Sequence, residues 1–170
     1  GYPILYVDDE ELALQTFKLQ FGNEFTIYTA KVSEEALLVL NTEDIAVVIT
    51  DQRMPKISGV ELLSQITSTH PDVVRILITA YTDLEVVIQA INAGNVYRYI
   101  SKPYNEEEVR TIIRQGIEHY YLVKERDRLM QTARELHHEL QSVQQEAQAG
   151  SVLVDAAAIP ARAAVSLWRQ

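Results

Sequence analysis

The sequence predicts an α/β fold: a doubly wound, five-stranded parallel sheet that carries a long C-terminal helical extension. Three observations lead there. Five short apolar, β-branched runs alternate with segments of helical period, and alternation of that kind builds a parallel sheet with helices on both faces. Two of the runs, Ile45-Ala46-Val47-Val48-Ile49 and Ile76-Leu77-Ile78, are apolar without a break, as strands buried on both faces are. From Glu118 to Gln148 there is neither Pro nor Gly, and Glu, Gln, Arg, Leu and Ala dominate, which suits one uninterrupted helix.

In chain order, strands are expected at Pro3–Val7, Phe25–Thr29, Ile45–Thr50, Val74–Thr79 and Val96–Ile100. Helices are expected at about 10–21, 33–41, 58–69, 83–93 and from 105 onward. Ser33 before Glu34-Glu35, and Asn105 before Glu106-Glu107-Glu108, suit helix amino ends. There a side-chain oxygen accepts from a free N–H, and acids meet the positive end of the helix dipole. Gly94-Asn95 suits a carboxyl end.

The residues sort into a domain over 1–118, a stalk over 119–149 and a tail over 150–170. In the tail, Gly150-Ser151 and Val154-Asp155-Ala156-Ala157-Ala158 look like translated cloning sites, so its origin stays open between native and added sequence. The stalk carries a seam at Leu122, Arg126, Leu129, Ala133, Leu136, Leu140, Val143 and Ala147, in alternating steps of four and three. A period of 3.5 is that of a left-handed two-stranded coil, so a homodimer through residues 122–147 is expected. An isolated helix would leave this stripe in water.

Composition removes several classes of function. The net charge is −9, with 24 acidic against 15 basic residues, and such a surface repels nucleic-acid phosphates. Direct nucleic-acid binding is therefore not expected. No apolar run approaches the roughly 18 residues of a membrane span, and the first residues lack the basic segment and apolar core of a signal peptide. The chain has no cysteine, which rules out disulfides and thiolate metal sites and points to the cytoplasm.

The chemistry is read from the residues just after each strand, because ligands of an open parallel sheet bind beyond its carboxyl ends. Asp8-Asp9 come after the first run, Asp51 after the third, Thr79 ends the fourth and Lys102-Pro103 come after the fifth. Taken singly, an Asp there is a helix cap, the Thr is ordinary strand composition and Lys-Pro is a turn. Together they place three acids, a hydroxyl and an ammonium on one edge. Carboxylates gathered within about 4–6 Å repel one another, and a hard divalent cation with oxygen ligands, Mg²⁺, removes that conflict. One carboxylate is then a nucleophile toward phosphorus, with Lys102 and Thr79 facing the transferring oxygens.

These residues resemble the receiver domain of two-component response regulators. The resemblance covers residues 4–118. It rests on Asp8-Asp9, on Asp51-Gln52-Arg53-Met54-Pro55-Lys56-Ile57-Ser58-Gly59, on Thr79-Ala80 and on Tyr97-Arg98-Tyr99-Ile100-Ser101-Lys102-Pro103. The spacings also agree: 43 residues from Asp8 to Asp51, 28 on to Thr79 and 23 on to Lys102. The resemblance implies a flavodoxin-like fold, with Asp51 as the phosphoacceptor for a sensor histidine kinase. It implies Mg²⁺ held by Asp9, Asp51 and the Arg53 backbone carbonyl, with Asp8 directly or through water. Thr79, Ala80 and Lys102 are the implied phosphate contacts, Thr79 and Tyr99 the switch pair, and Lys102–Pro103 a cis peptide. The switch would alter a surface around the fourth helix and fifth strand, and so control an output domain absent from this chain. The wording of Asp51–Gly59 and Tyr97–Pro103 looks like receivers attached to HD-type phosphodiesterases or hydrogenase regulators.

Other classes fit less well. An aspartate-nucleophile phosphohydrolase would show D-x-D after its first strand, whereas position 53 is Arg and Asp51 comes after the third run. A phosphorylation-independent interaction module would keep the acids for stability alone and resist labelling by acetyl phosphate. His138-Glu139-Leu140 resembles a kinase phosphoacceptor segment, but Gln141-Ser142-Val143 stand next in place of the polar residue and Pro. His137 and His138 are read as helix-surface residues.

Overall fold

Burial on both faces decides the order of the strands. A computed structural model describes the backbone of residues 1–167, and the side chains of residues 1–151 apart from Tyr81. Residues 168–170, and the side chains of the tail from 152 on, lie outside the described residues, and with them most of the stretch whose origin stays open. The elements are β1 (Ile4–Val7), α1 (Glu11–Phe21), β2 (Ile27–Ala30), α2 (Ser33–Thr42), β3 (Val47–Asp51) and α3 (Gly59–Thr69). They continue with β4 (Val74–Ala80), a 3-10 turn (Tyr81–Asp83), α4 (Leu84–Asn92), β5 (Arg98–Lys102) and α5 (Glu106–Leu167). The sheet is parallel throughout, in the order β2-β1-β3-β4-β5, which is the flavodoxin-like topology. Every residue of β1 and β3 is buried, so the runs richest in apolar residues take the interior of the sheet, as expected.

The chain divides into two units, residues 1–124 and residues 125 onward. In the first, Phe17 and Phe21 of α1, Leu62, Leu63 and Ile66 of α3 and Ile113 of α5 are fully buried with the strands. This unit continues past residue 118 because Tyr120 is buried, meets the Tyr2 ring edge-on at 5.0 Å, and donates to Asp44 at 2.5 Å. In the second unit the seam residues Leu129, Leu136, Leu140 and Val143 are all more than half exposed. The backbone of α5 stays helical past Gly150-Ser151. No described helix is long and apolar enough to cross a membrane.

Several local expectations are corrected: β2 and β3 begin two residues later than expected, at Ile27 and Val47, and each runs one residue further, to Ala30 and Asp51. β5 starts two residues late and extends through Lys102, because Arg98, Tyr99, Ser101 and Lys102 are exposed on an edge strand and only Ile100 is buried. Val96, also buried, belongs to the approach. Ser33 does not cap α2; it is the first helical residue, and the Glu35 carboxylate instead reaches back to the Lys31 N–H at 2.8 Å. Asn105 does cap α5, its Oδ1 accepting from the N–H groups of Glu107 and Glu108. Gly94, at φ 77°, ends α4 in the left-handed region that glycine enters most readily.

Candidate functional site

The carboxyl ends of β1 and β3 bring Asp8, Asp9 and Asp51 together, each with a carboxylate oxygen within 4.8 Å of the others. Asp8 is held from two sides. The buried Tyr6 hydroxyl donates to its Oδ2 and the Glu10 N–H to its Oδ1, both at 3.0 Å. Burial pushes the Asp8 carboxyl up, the Glu10 N–H opposes this, and the charge of Asp51 adds to the rise. The site therefore collects negative charge under partial burial. Its donors are oxygen only, with Asp9 open to water, a set that fits a hard divalent cation and leaves room for its waters.

Asp51 is buried at the end of the central strand, and a folded-back loop fixes its backbone. The Gln52 N–H donates to the Ile78 carbonyl, the Gly59 N–H donates to the Gln52 carbonyl, and the Val60 N–H donates to Gln52 Oε1. The loop ends in a capping box, in which Ser58 Oγ accepts from the Glu61 N–H and Glu61 accepts from the Ser58 N–H. This packing demands glycine at 59. A Cβ there would run into the Asp51 carbonyl oxygen and lie 2.8 Å from a Leu77 methyl.

Opposite the acids, the Lys102 ammonium donates to Asp51 Oδ1 at 2.6 Å. Burial alone would lower the Lys102 ammonium, but its hydrogen bond and ion pair with Asp51 raise it above the ordinary lysine value. The Lys102–Pro103 peptide is cis, as the resemblance implied. Thr79 is buried, and its hydroxyl lies 3.2 Å from the Ala80 carbonyl and 3.4 Å from Asp83 Oδ2. Ala80 is exposed at the end of β4, and Tyr99 stands on β5, 41% exposed. It therefore lies outward in this arrangement. The Arg53 side chain turns away from the acids and forks onto Asp83, with Nε and Nη2 each 3.2 Å from a carboxylate oxygen.

Four contributors escaped the sequence reading. Ser58 and Glu61 stand at S-x-x-E spacing, a legible capping signal. Gln52 gave no signal beyond its place in the motif, and Asp83 none, since its partners lie four and thirty residues away. A cavity of about 250 Å³ flanks Asp9, lined by Lys31, Val32, Met54 and Ile57 among others. A wider one, about 790 Å³, lies at the amino ends of the strands around Tyr2, Phe25 and Ile117, away from this chemistry.

Hydrogenase transcriptional regulatory protein HoxA of Cupriavidus necator is 35% identical over 115 residues, 68% of this chain and 24% of that protein. DNA-binding transcriptional regulator NtrC of Escherichia coli is 30% identical over 113 residues, 66% of this chain and 24% of that protein. This chain thus spans about a quarter of these relatives. Among solved structures, the signal receiver domain of an HD domain-containing protein from Pseudomonas fluorescens superposes with a TM-score of 0.68 at 35% identity, covering 74% of this chain and 93% of that one. A response regulator receiver domain protein from Clostridium thermocellum gives a TM-score of 0.68 at 31% identity over 72% and 99%. The family description "Response regulator receiver domain" matches residues 4–114, so the chain belongs to the response regulator receiver domain family.

Proposed function

We infer that Asp51 accepts a phosphoryl group from a phosphohistidine of a sensor histidine kinase, and that the modification switches the domain to control an output domain. The observation that carries this reading is the position of one carboxylate. Asp51 ends the central strand with Lys102 at 2.6 Å on one side and Asp8 and Asp9 within ligand-sharing distance on the other. A carboxylate oxygen of Asp51 attacks phosphorus as the P–N bond to the donor imidazole breaks; its electron pair stays with the imidazole, and an acyl phosphate remains. Asp8, Asp9, Asp51 and the Arg53 backbone carbonyl would hold Mg²⁺, which supplies positive charge to the gathered acids and to the phosphoryl oxygens.

The chain's own groups do the rest. Lys102 transfers its hydrogen bond from the carboxylate to a phosphoryl oxygen. The Thr79 hydroxyl turns to donate to another, and the small Ala80 side chain leaves space beside it. Tyr99, freed to follow Thr79, packs inward and alters the surface around α4 and β5. The new charge-assisted bonds bias a two-state element. Transfer onto Asp51 and later loss to water complete the chemistry, so the domain is a switch and not a turnover enzyme. Residues 1–124 would be the switch, and the helix that continues from them a stalk pairing two cytoplasmic copies through 122–147. The exposed seam leucines support that pairing.

Intact-mass measurement after incubation with acetyl phosphate and Mg²⁺ tests the assignment. One phosphoryl adduct is expected on the wild type and none on Asp51→Asn. A full adduct on that variant would move the acceptor elsewhere.

A further inference from the structure

Asp83 occupies the N-cap position of α4, and Asp is among the residues most favoured there because its oxygen accepts from the first helical N–H groups. Its carboxylate makes no such bond. Both oxygens are instead engaged by the Arg53 guanidinium, at 3.2 Å each, and Oδ2 also lies 3.4 Å from the Thr79 hydroxyl. The same guanidinium reaches Thr82 at 3.4 Å. Asp83 thus has two possible uses, capping α4 or gripping Arg53 and Thr79, and the structure shows the second.

We propose that Asp83 is a positioning residue for the phosphoacceptor site: gripped by Arg53, it holds the Thr79 hydroxyl and the amino end of α4 in the resting arrangement. This rests on the reading of Asp51 as the phosphoacceptor. A hydroxyl has one proton: at rest Thr79 shares it between the Ala80 carbonyl, at 3.2 Å, and Asp83, at 3.4 Å, and it cannot serve these and a phosphoryl oxygen at once. Once Thr79 turns toward Asp51, the Asp83 carboxylate loses a donor and becomes available to the free N–H groups of α4.

The surroundings make α4 sensitive to such an exchange. The helix buries only Val87 and Ala90, so little packing fixes its position. At its far end, Arg75 clamps the chain by donating to the carbonyls of Gly94, Asn95, Pro71 and Val73. One end of α4 is therefore tied to β4 by a half-buried arginine, and the other depends on a carboxylate with an alternative partner. Arg53 links the two sides of the device, because it stands two residues from Asp51 on the loop just past the acceptor.

The test reads the resting state directly. Amide NMR spectra of the metal-free wild type, and of the wild type with Mg²⁺ and beryllofluoride as phosphoryl mimic, define two endpoints. Asp83→Asn keeps a capping side chain but loses the charge that Arg53 grips. Its unphosphorylated signals from Thr79 and α4 should lie displaced along the line toward the mimic-bound endpoint, by a roughly fivefold rise in the switched population, the scale of one net hydrogen bond. Arg53→Gln should shift them the same way by less, and the double variant no further than Asp83→Asn alone. Signals of Asp83→Asn that stay at the resting position, or move off the line, overturn the latch. If the wild type takes up the acetyl phosphate label while Asp83→Asn stays at rest, the latch falls and the phosphoacceptor reading stands. If the wild type takes up neither label nor mimic, both fall together.

Discussion

The ammonium of Lys102, at the end of β5, lies 2.6 Å from Oδ1 of Asp51, at the end of β3, with β4 between the two strands. In the proposed site a lysine and a divalent cation would therefore compete for the same carboxylate. Lys102→Met should tighten Mg²⁺ binding roughly threefold, the scale of a half-exposed ion pair, while slowing phosphoryl uptake. Calorimetric titration measures the first and intact mass the second; weaker Mg²⁺ binding in the variant would contradict the competition.

Asp9 is the exposed member of the acid cluster, so its removal relieves repulsion without opening the core. Asp9→Ala should have an equal or higher thermal midpoint than wild type in metal-free buffer. Its labelling by acetyl phosphate should drop by more than about tenfold, as expected when a metal site loses part of its shell. Unchanged labelling kinetics would place the metal elsewhere.

Gly59 backs directly onto the Asp51 carbonyl and Leu77. Gly59→Ala should destabilise the domain by about 2 kcal/mol, the usual cost of overpacking, and lower Tm by roughly 5 °C. A variant that melts with the wild type would show that the loop yields freely.

Much of this was legible in the sequence because burial and charge write themselves along the chain. Strands β1 and β3 are buried at every residue, so their apolar runs stand out. The starts of β2, β3 and β5 each slipped by two residues, because Phe25, Ile45 and Val96 are apolar residues that pack against the core before the ladder begins. The acids, Thr79 and Lys102 were found because parallel strands deliver their ends to one edge. The Arg53–Asp83 fork was not, since residues thirty apart in sequence meet only through tertiary structure. Ser33 misled because a carboxylate two residues on, Glu35, satisfied the preceding loop instead.

The stalk's role depends on where it is cut. Because Tyr120 is part of the core, a chain ending after Lys124 is the better comparison for residues 1–170 than one ending at 118. Light scattering should give about twice the monomer mass for the full chain and one monomer mass for the truncation. Monomers in both cases, at high concentration and after phosphorylation, would exclude the seam as a dimer contact.

Burial, together with the Asp44 carboxylate it donates to, pushes the Tyr120 phenol well above its ordinary value of 10.0. The unfolded chain ionises this phenol first. Its contribution to stability is therefore complete below about pH 10 and is lost as pH rises beyond it. Urea unfolding at about pH 9 and about pH 10.5 should show a fall in stability that Tyr120→Phe makes shallower. An equally steep fall in that variant would assign the alkaline loss to other groups.

The complete burial of β3 has a consequence for where the molecule breathes. All five of its residues are sealed between neighbouring strands, whereas α4 holds on through two buried side chains. Backbone amides of Val47–Asp51 should exchange with deuterium only when the whole domain opens, and those of α4 through small local openings. The proposed nucleophile, Asp51, thus stands on the part of the fold that yields last, and the proposed output helix, α4, on the part that yields first.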